Sequence, residues 1–134
     1  MHTLNEFPIH YEINTRWKDM DSFGHINNAI YLTYIENARV DLFNRWNIVH
    51  PEKSIILASI KIDFIKEIKH PTTLIIGSKV KRIGNSSFDI QSNIYNKREN
   101  FLLSTSLATC VCYNYLKMKS IFVYPEIKKD YLEE

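Results

Sequence analysis

The sequence is poor in the residues that mark several large enzyme classes. Glycine occurs only three times, at Gly24, Gly77 and Gly84. No two of these glycines have the spacing of a dinucleotide-binding or phosphate-binding loop, and none flanks a serine as a nucleophile elbow requires. The sequence therefore argues against nucleotide-binding folds and against serine hydrolases of the elbow type.

Cysteine and long apolar runs are also scarce. The only two cysteines, Cys110 and Cys112, lie two apart in a strand-like run, where they share a face but stand too far apart for a disulfide. The first residues, MHTLNEFPIHYE, lack the basic-then-apolar order of a signal peptide, and no apolar run has membrane-spanning length. We therefore expect a cytoplasmic protein with no integral membrane association.

The sequence also has no large excess of positive or negative charge. Seventeen Lys and Arg stand against fifteen Asp and Glu, so the net charge of +2 is too small and too dispersed for a nucleic-acid surface. The five histidines are scattered, and no CxxC or HExxH motif occurs. We expect no nucleic-acid partner, no metal and no cofactor.

The length and composition fit one soluble domain that covers residues 1–134. Hydrophobic residues make up 45% and charged residues 24% of the 134. A chain of this size can hide roughly two-thirds of its unfolded surface, which is enough for a core without disulfides.

Hydrophobic periodicity predicts one strand, one long helix and a run of further strands. Residues 10–17 alternate as a half-buried strand does, and residues 28–46 form a helix with almost no polar face, which we expect to be surrounded by protein. That helix would be roughly 28 Å long. Period two then dominates from Ser54 to about Tyr115, and Pro125–Leu132 is a short amphipathic helix.

Two of the later strands have informative faces. The first of them should present one apolar face, formed by Ile56, Ala58, Ile60, Ile62 and Phe64. The last alternates bulky odd positions with small even ones, which are Ser104, Ser106, Ala108, Cys110 and Cys112. Small residues allow another element to approach closely, and the long helix is the obvious candidate.

The order of elements indicates an α+β fold in which a curved antiparallel sheet of about five strands wraps around one central helix. One face of such a sheet has nothing to cover it. We therefore expect a homo-oligomer, formed through a sheet edge or the outer face.

The densest polar cluster, residues 17–28, lies at the start of the long helix. A helix N-terminus offers unpaired backbone N–H groups and partial positive charge, which together can hold an oxyanion. With Asn27 or a close neighbour as N-cap, the Asn28 amide is a candidate donor, and the Asp21 carboxylate can reach the same region. This pairing suits acyl transfer.

A plain loop before a helix explains the same composition, because Asp, Ser, Gly and Asn are ordinary turn and cap residues. An active site is favoured because three ionisable side chains, those of Asp19, Asp21 and His25, lie within seven residues. A helix cap needs fewer ionisable side chains than this. Glu36 stands on the almost wholly apolar helix, so we expect a buried structural carboxylate with Arg39 as its partner.

The run WKDMDSFGHINNAIYLTYIENARVDLF resembles the signature of the hotdog-fold acyl-CoA thioesterases, a group that includes 4-hydroxybenzoyl-CoA thioesterase-like proteins. The segments IDFIKEIKHPTTLIIGSKVKRIGNSSFDI and VYPEIKK resemble the family's strands and tail. The resemblance implies the hotdog fold, an active site at a dimer interface, a catalytic aspartate at Asp21 and a carbonyl-polarising amide at Asn28.

We therefore predict hydrolysis of an acyl thioester, with Asp21 as base or nucleophile and Asn28 as oxyanion donor. His25 is a third catalytic candidate, and the residues assigned to substrate binding are Asp19, Gly24, Phe23 and Tyr31. The expected partner is acyl-CoA or acyl carrier protein, and the expected assembly a homodimer or homotetramer. Two alternatives stay open: a hotdog enoyl-CoA hydratase, which Asp21 and His25 superficially resemble, and a non-catalytic acyl-binding oligomer.

Overall fold

A computed structural model describes residues 3–132, with Leu132 described by its backbone alone; Met1, His2, Glu133 and Glu134 lie outside the described residues. The elements are β1 (Ile9–Asn14), α1 (Asn28–Arg45), β2 (Ser54–Phe64), β3 (Thr73–Ile83), β4 (Ser87–Asn96), β5 (Leu102–Asn114), β6 (Lys119–Ser120) and α2 (Pro125–Leu132). The predicted order is confirmed, with the two-residue β6 added. Neither helix is long and apolar enough to cross a membrane.

The strands form one antiparallel sheet in the order β1-β3-β4-β5-β2, and β6 pairs with β5. The even-numbered residues of β5 are buried from Leu102 to Asn114, as the small-residue pattern predicts. Leu42 of α1 packs in the same core cluster as Ala108 and Cys110. The sheet therefore curves around α1, and the predicted hotdog arrangement is confirmed.

Helix α1 differs from the prediction in one respect, because its own chain covers only one side of it. The buried positions are Tyr31, Tyr34, Ile35, Ala38, Arg39 and Leu42. Leu32, Glu36 and Val40 recur every four residues on one open stripe, and the Glu36 side chain is 65% exposed. The expectations of a fully surrounded helix and of a buried Glu36 are thus wrong, since the sheet packs against one side of the helix and leaves the stripe with Leu32, Glu36 and Val40 exposed.

Strand β2 also departs from simple alternation. Its register with β5 shifts between Leu57 and Ser59, which leaves Ala58 as the extra residue of a bulge. Ile55 and Leu57 face Cys112 and Cys110 on the inner side of the sheet, so the predicted face holds only from Ile60 onward. A bulge reverses the inward and outward positions on one side of it, and counting in twos along the sequence cannot detect that.

The second edge of β2 is unpaired in the described part of the chain, where β2 hydrogen-bonds with β5 alone. Large apolar side chains lie exposed along this edge, namely Leu57, Phe64 and Ile65. The open stripe of α1 lies beside them, since Leu32 and Leu57 line the same small cavity. An unpaired strand of this length with apolar neighbours is a natural site for pairing with another chain.

Candidate active site

The loop before α1 folds back on itself. Met20 pairs with Ile26 as an isolated bridge, and the Asp21 N–H donates to the His25 carbonyl at 2.7 Å. The reversal needs a left-handed residue, which Gly24 supplies with φ of +80°. The backbone of Asp21 consequently lies opposite His25, only a few residues before the helix begins.

The Asp21 carboxylate is oriented through one of its two oxygens. Oδ1 accepts hydrogen bonds from the backbone N–H groups of Phe23 at 2.8 Å and His25 at 3.3 Å. Oδ2 has no partner among residues 3–132, and the side chain is exposed. The carboxylate is therefore held in one orientation with one oxygen free to take a proton or to attack a carbonyl carbon.

The start of α1 provides the complementary donor. The Asn27 side chain accepts from the Ala29 N–H at 2.8 Å, which confirms Asn27 as the N-cap. The Asn28 N–H has no acceptor within the described part of the chain. Since the first amides of a helix carry partial positive charge, this N–H can polarise a carbonyl oxygen from outside.

Asp19 occupies a different environment from Asp21. Its side chain is 1% exposed and is bonded by the Arg16 guanidinium, with Nη2 2.9 Å from Oδ1, and by the Tyr34 hydroxyl, 2.6 Å from Oδ2. Burial alone would raise the pKa of Asp19, but the hydrogen bonds from Arg16 and Tyr34 outweigh it and hold that pKa below its ordinary value. Its oxygens are thus engaged by the chain's own groups, which fasten the loop to α1.

The other predicted residues lie around the same helix start. The His25 ring has its Nε2 3.2 Å from a carboxylate oxygen of Glu67. Phe23 stands outward at the tip of the loop and is exposed. Tyr31 is buried, and its hydroxyl donates to the Lys66 carbonyl at 3.2 Å and accepts from the Ile68 N–H at 3.0 Å. The structure therefore places Asp21 and His25 in one hydrogen-bonded loop that leads to Asn28, and it places Tyr31 in the first turn of α1.

The two cysteines lie away from this chemistry. Both are free and buried on the inner face of β5. Burial raises the pKa of Cys110 to about 12 and the pKa of Cys112 to about 11. Both thiols are thus protonated at neutral pH and are poor nucleophiles.

One buried charge is missed by the sequence reasoning. Arg39, expected to neutralise a buried Glu36, is itself the buried member of the pair, and its Nη2 lies 3.9 Å from the exposed Glu36 carboxylate. Helical spacing was the available signal, because Arg39 follows Ile35 by four residues and precedes Leu42 by three on the buried side.

The curated relatives include the long-chain acyl-CoA thioesterase FadM of Escherichia coli, which is 25% identical over 123 residues, or 88% of this chain and 92% of that protein. The uncharacterized protein YsmA of Bacillus subtilis is 27% identical over 86 residues, which cover 63% of this chain but only 58% of YsmA. Among solved structures, the PA2801 protein of Pseudomonas aeruginosa superposes with a TM-score of 0.84 at 25% identity, over 90% of this chain and 95% of that one.

The thioesterase-like superfamily matches residues 15–130, a stretch that contains the loop, α1 and the whole of the sheet except β1. This match covers most of the chain, and it includes Asp21, His25 and Asn28. The chain belongs to the thioesterase-like superfamily.

Proposed function

We propose that the protein is an acyl-CoA thioesterase, which hydrolyses an acyl thioester to a carboxylic acid and a free thiol. The observation that carries this proposal is the Asp21 carboxylate, fixed through Oδ1 with Oδ2 free, in the loop that leads to the unpaired Asn28 N–H. The likeness to FadM supports coenzyme A as the acyl carrier.

In the proposed reaction the Asn28 N–H donates to the thioester carbonyl oxygen and stabilises the negative charge that develops there. Asp21 Oδ2 either takes a proton from the attacking water or attacks the carbonyl carbon itself, giving an anhydride that water then opens. In both routes the carbon–sulfur bond breaks and the thiolate leaves. A thiolate is a good leaving group, so the site needs no strong general acid.

His25 is the third member of the proposed site. Its ring is partly exposed and faces the Glu67 carboxylate, which lies on the segment that follows β2. This contact joins the loop to that segment. We propose that His25 positions Asp21, because the backbone N–H of His25 is one of the two donors to Asp21 Oδ1.

The unpaired edge of β2 supports a homodimer, or a homotetramer built from such dimers, in which two β2 strands meet. Pairing would cover the exposed apolar residues of the edge and the open stripe of α1. The free and buried thiols fit a reducing compartment, and we place the protein in the cytoplasm.

Sedimentation at micromolar concentration tests this assembly. We expect a species of at least twice the 15.9 kDa chain mass. Leu57→Lys places an inward-pointing charge on the edge strand and should shift the protein toward monomer, whereas Leu116→Lys, on the exposed turn between β5 and β6, should not. A wild-type chain that sediments as a monomer would contradict the proposal.

A thiol-release screen tests the function. Short, long and aromatic acyl-CoA esters are compared with the same acyl groups on acyl carrier protein, and we expect release from the coenzyme A esters. Water addition to an enoyl-CoA without thiol release would replace the proposal with a hydratase. Tight acyl-CoA binding without either product would indicate an acyl-binding protein.

A further inference from the structure

The turn between β5 and β6, together with β6 and the two residues after it, forms the hairpin tip, residues 115–122. Its exposed apolar side chains are Tyr115, Leu116, Met118 and Phe122. Each of the last three is at least 71% exposed. Single exposed apolar residues are ordinary on a protein surface, but a group of them within eight residues indicates a contact with a partner or with a membrane.

The backbone of the hairpin tip is held in one shape. The side-chain oxygen of Asn114 accepts hydrogen bonds from the N–H groups of Leu116 at 2.9 Å and Lys117 at 3.0 Å. Met118 has a φ of +53°, in the left-handed region where glycine or asparagine is the usual residue. A large apolar side chain therefore occupies a position at which the backbone favours a small or a polar one.

Two lysines alternate with the apolar residues of the hairpin tip. Lys117 and Lys119 are exposed, and neither forms an ion pair with a carboxylate of residues 3–132. Residues 115–122 contain no Asp or Glu. The hairpin tip is thus apolar and positively charged at once. These two properties are complementary to an anionic lipid bilayer, which has a negatively charged surface above an apolar interior.

The hairpin tip extends beyond the sheet. The ladder between β5 and β2 ends at the pair of Tyr113 and Ser54, and the ladder between β5 and β4 ends at Val111 and Ser87. Residues 115–120 are exposed throughout. The tip therefore lies past the β2 residues that would pair in the proposed dimer. A convex tip of this kind cannot enclose a small ligand, whereas lipids of a fluid bilayer can rearrange around it.

The hairpin tip and the candidate active site belong to opposite ends of α1. The Tyr115 N–H donates at 2.7 Å to the carbonyl of Pro51, in the segment that follows the end of α1. Asn28, in contrast, is the first residue of that helix. The helix has 18 residues, so its two ends are about 27 Å apart. A contact made through the tip therefore leaves the helix start of the same chain uncovered.

We propose that the hairpin tip binds the surface of an anionic lipid bilayer, with Leu116 and Met118 inserted among the lipids and Lys117 and Lys119 at the lipid phosphates. Insertion removes the two apolar side chains from water, and the lysines are attracted to the negative leaflet. Lysine stems lie along apolar surface while their ammonium groups stay in the polar layer. Two side chains and two charges give a peripheral and reversible association. It does not depend on the thioesterase activity.

Vesicle flotation of the whole protein tests the charged part of the tip. Vesicles of phosphatidylcholine are compared with vesicles that contain about one-quarter phosphatidylserine, at about 0.1 M salt. We expect at least about tenfold stronger partition onto the anionic vesicles. Lys117→Gln with Lys119→Gln should remove most of this difference. Lys97→Gln with Arg98→Gln takes two cations from the turn between β4 and β5, at the other end of β5, and should preserve it.

Met118→Gly tests the apolar part without endangering the fold, because glycine suits the left-handed backbone at this position. Combined with Leu116→Ser, it should lower partition onto both kinds of vesicle by about tenfold or more, with the midpoint of thermal unfolding unchanged.

Binding of wild type to neither kind of vesicle would overturn the proposal. Equal binding by wild type and by either pair of tip variants would do the same. A Met118→Gly, Leu116→Ser protein that sediments as a smaller species than wild type would also overturn it, since the tip would then be a contact with a second copy of the chain.

Discussion

Replacing Asp21 with asparagine is expected to lower thioester turnover by at least about 10²–10³-fold, the cost of removing one charge-stabilising group from an active site. Asparagine keeps an oxygen that can accept from the Phe23 and His25 N–H groups, so the loop should retain its shape. What is lost is the negative charge on the free oxygen. The measurement is kcat and kcat/KM with the best acyl-CoA of the screen.

The matched control is Asp41→Asn, which neutralises an exposed carboxylate on α1. Its turnover and its midpoint of thermal unfolding should equal those of wild type. The Asp21→Asn protein should share that midpoint while losing activity. Retention of more than about a tenth of wild-type turnover, a barrier change of only ~1.4 kcal/mol, would remove Asp21 from the mechanism.

Replacing Asp19 with alanine should instead lower the free energy of unfolding, by about 3 kcal/mol. Breaking a buried pair leaves its partners unsatisfied and costs about 3–5 kcal/mol; the half-exposed Arg16 can recover water, so we expect the lower end of that range. Tyr34, buried in α1, loses the acceptor of its hydroxyl group. Urea unfolding measures the loss, and in a chain of this length the Tm should fall by roughly 10 °C.

The acid limb of the stability curve gives a second measure of Asp19. Its pKa is lower in the folded than in the unfolded chain, so its contribution is complete above the unfolded value of about 3.9 and disappears as pH falls through the folded value. Asp19→Asn should therefore lose less stability than wild type over that interval.

Asp63→Ala, which removes an exposed carboxylate 4.0 Å from Lys61, should change stability by at most about 1 kcal/mol. A similar small effect for Asp19→Ala would contradict the anchoring role.

Local patterns were sufficient to predict the elements and the helix start. The Asn27 cap, the beginning of α1 at Asn28 and the small inner face of β5 all depend on residues that are neighbours in sequence. The bulge at Ala58 and the open stripe of α1 do not, because each depends on which other strand or helix lies alongside. Apolar residues on α1 predict burial, but they do not reveal whether the covering surface belongs to the same chain.

In the candidate site, too, the features that depend on sequence neighbours could be predicted, and those that depend on distant residues could not. Asp21, His25 and Asn28 belong to one short loop and the helix that it starts, so their place before and at the helix start could be predicted. Asp19 differs from Asp21 in its surroundings because of Tyr34, a residue fifteen positions later in the sequence. The Nη1 atom of Arg39 is buried without a hydrogen-bond partner in residues 3–132, and a sequence contains no direct sign of that.

The bulge in β2 has a consequence for how this gene can diverge. Ala58 separates two halves of the strand whose alternation is out of phase. Ile55 and Leu57 on one side of it, and Ile60 and Ile62 on the other, therefore all lie on the inner face of the sheet. Deleting the codon for Ala58 would remove the extra residue and leave a regular ladder, in which both halves of the strand keep their inner face. Related sequences can thus lose the bulge by that one deletion, whereas a one-residue slip of a regular strand turns its inner side chains to the other face.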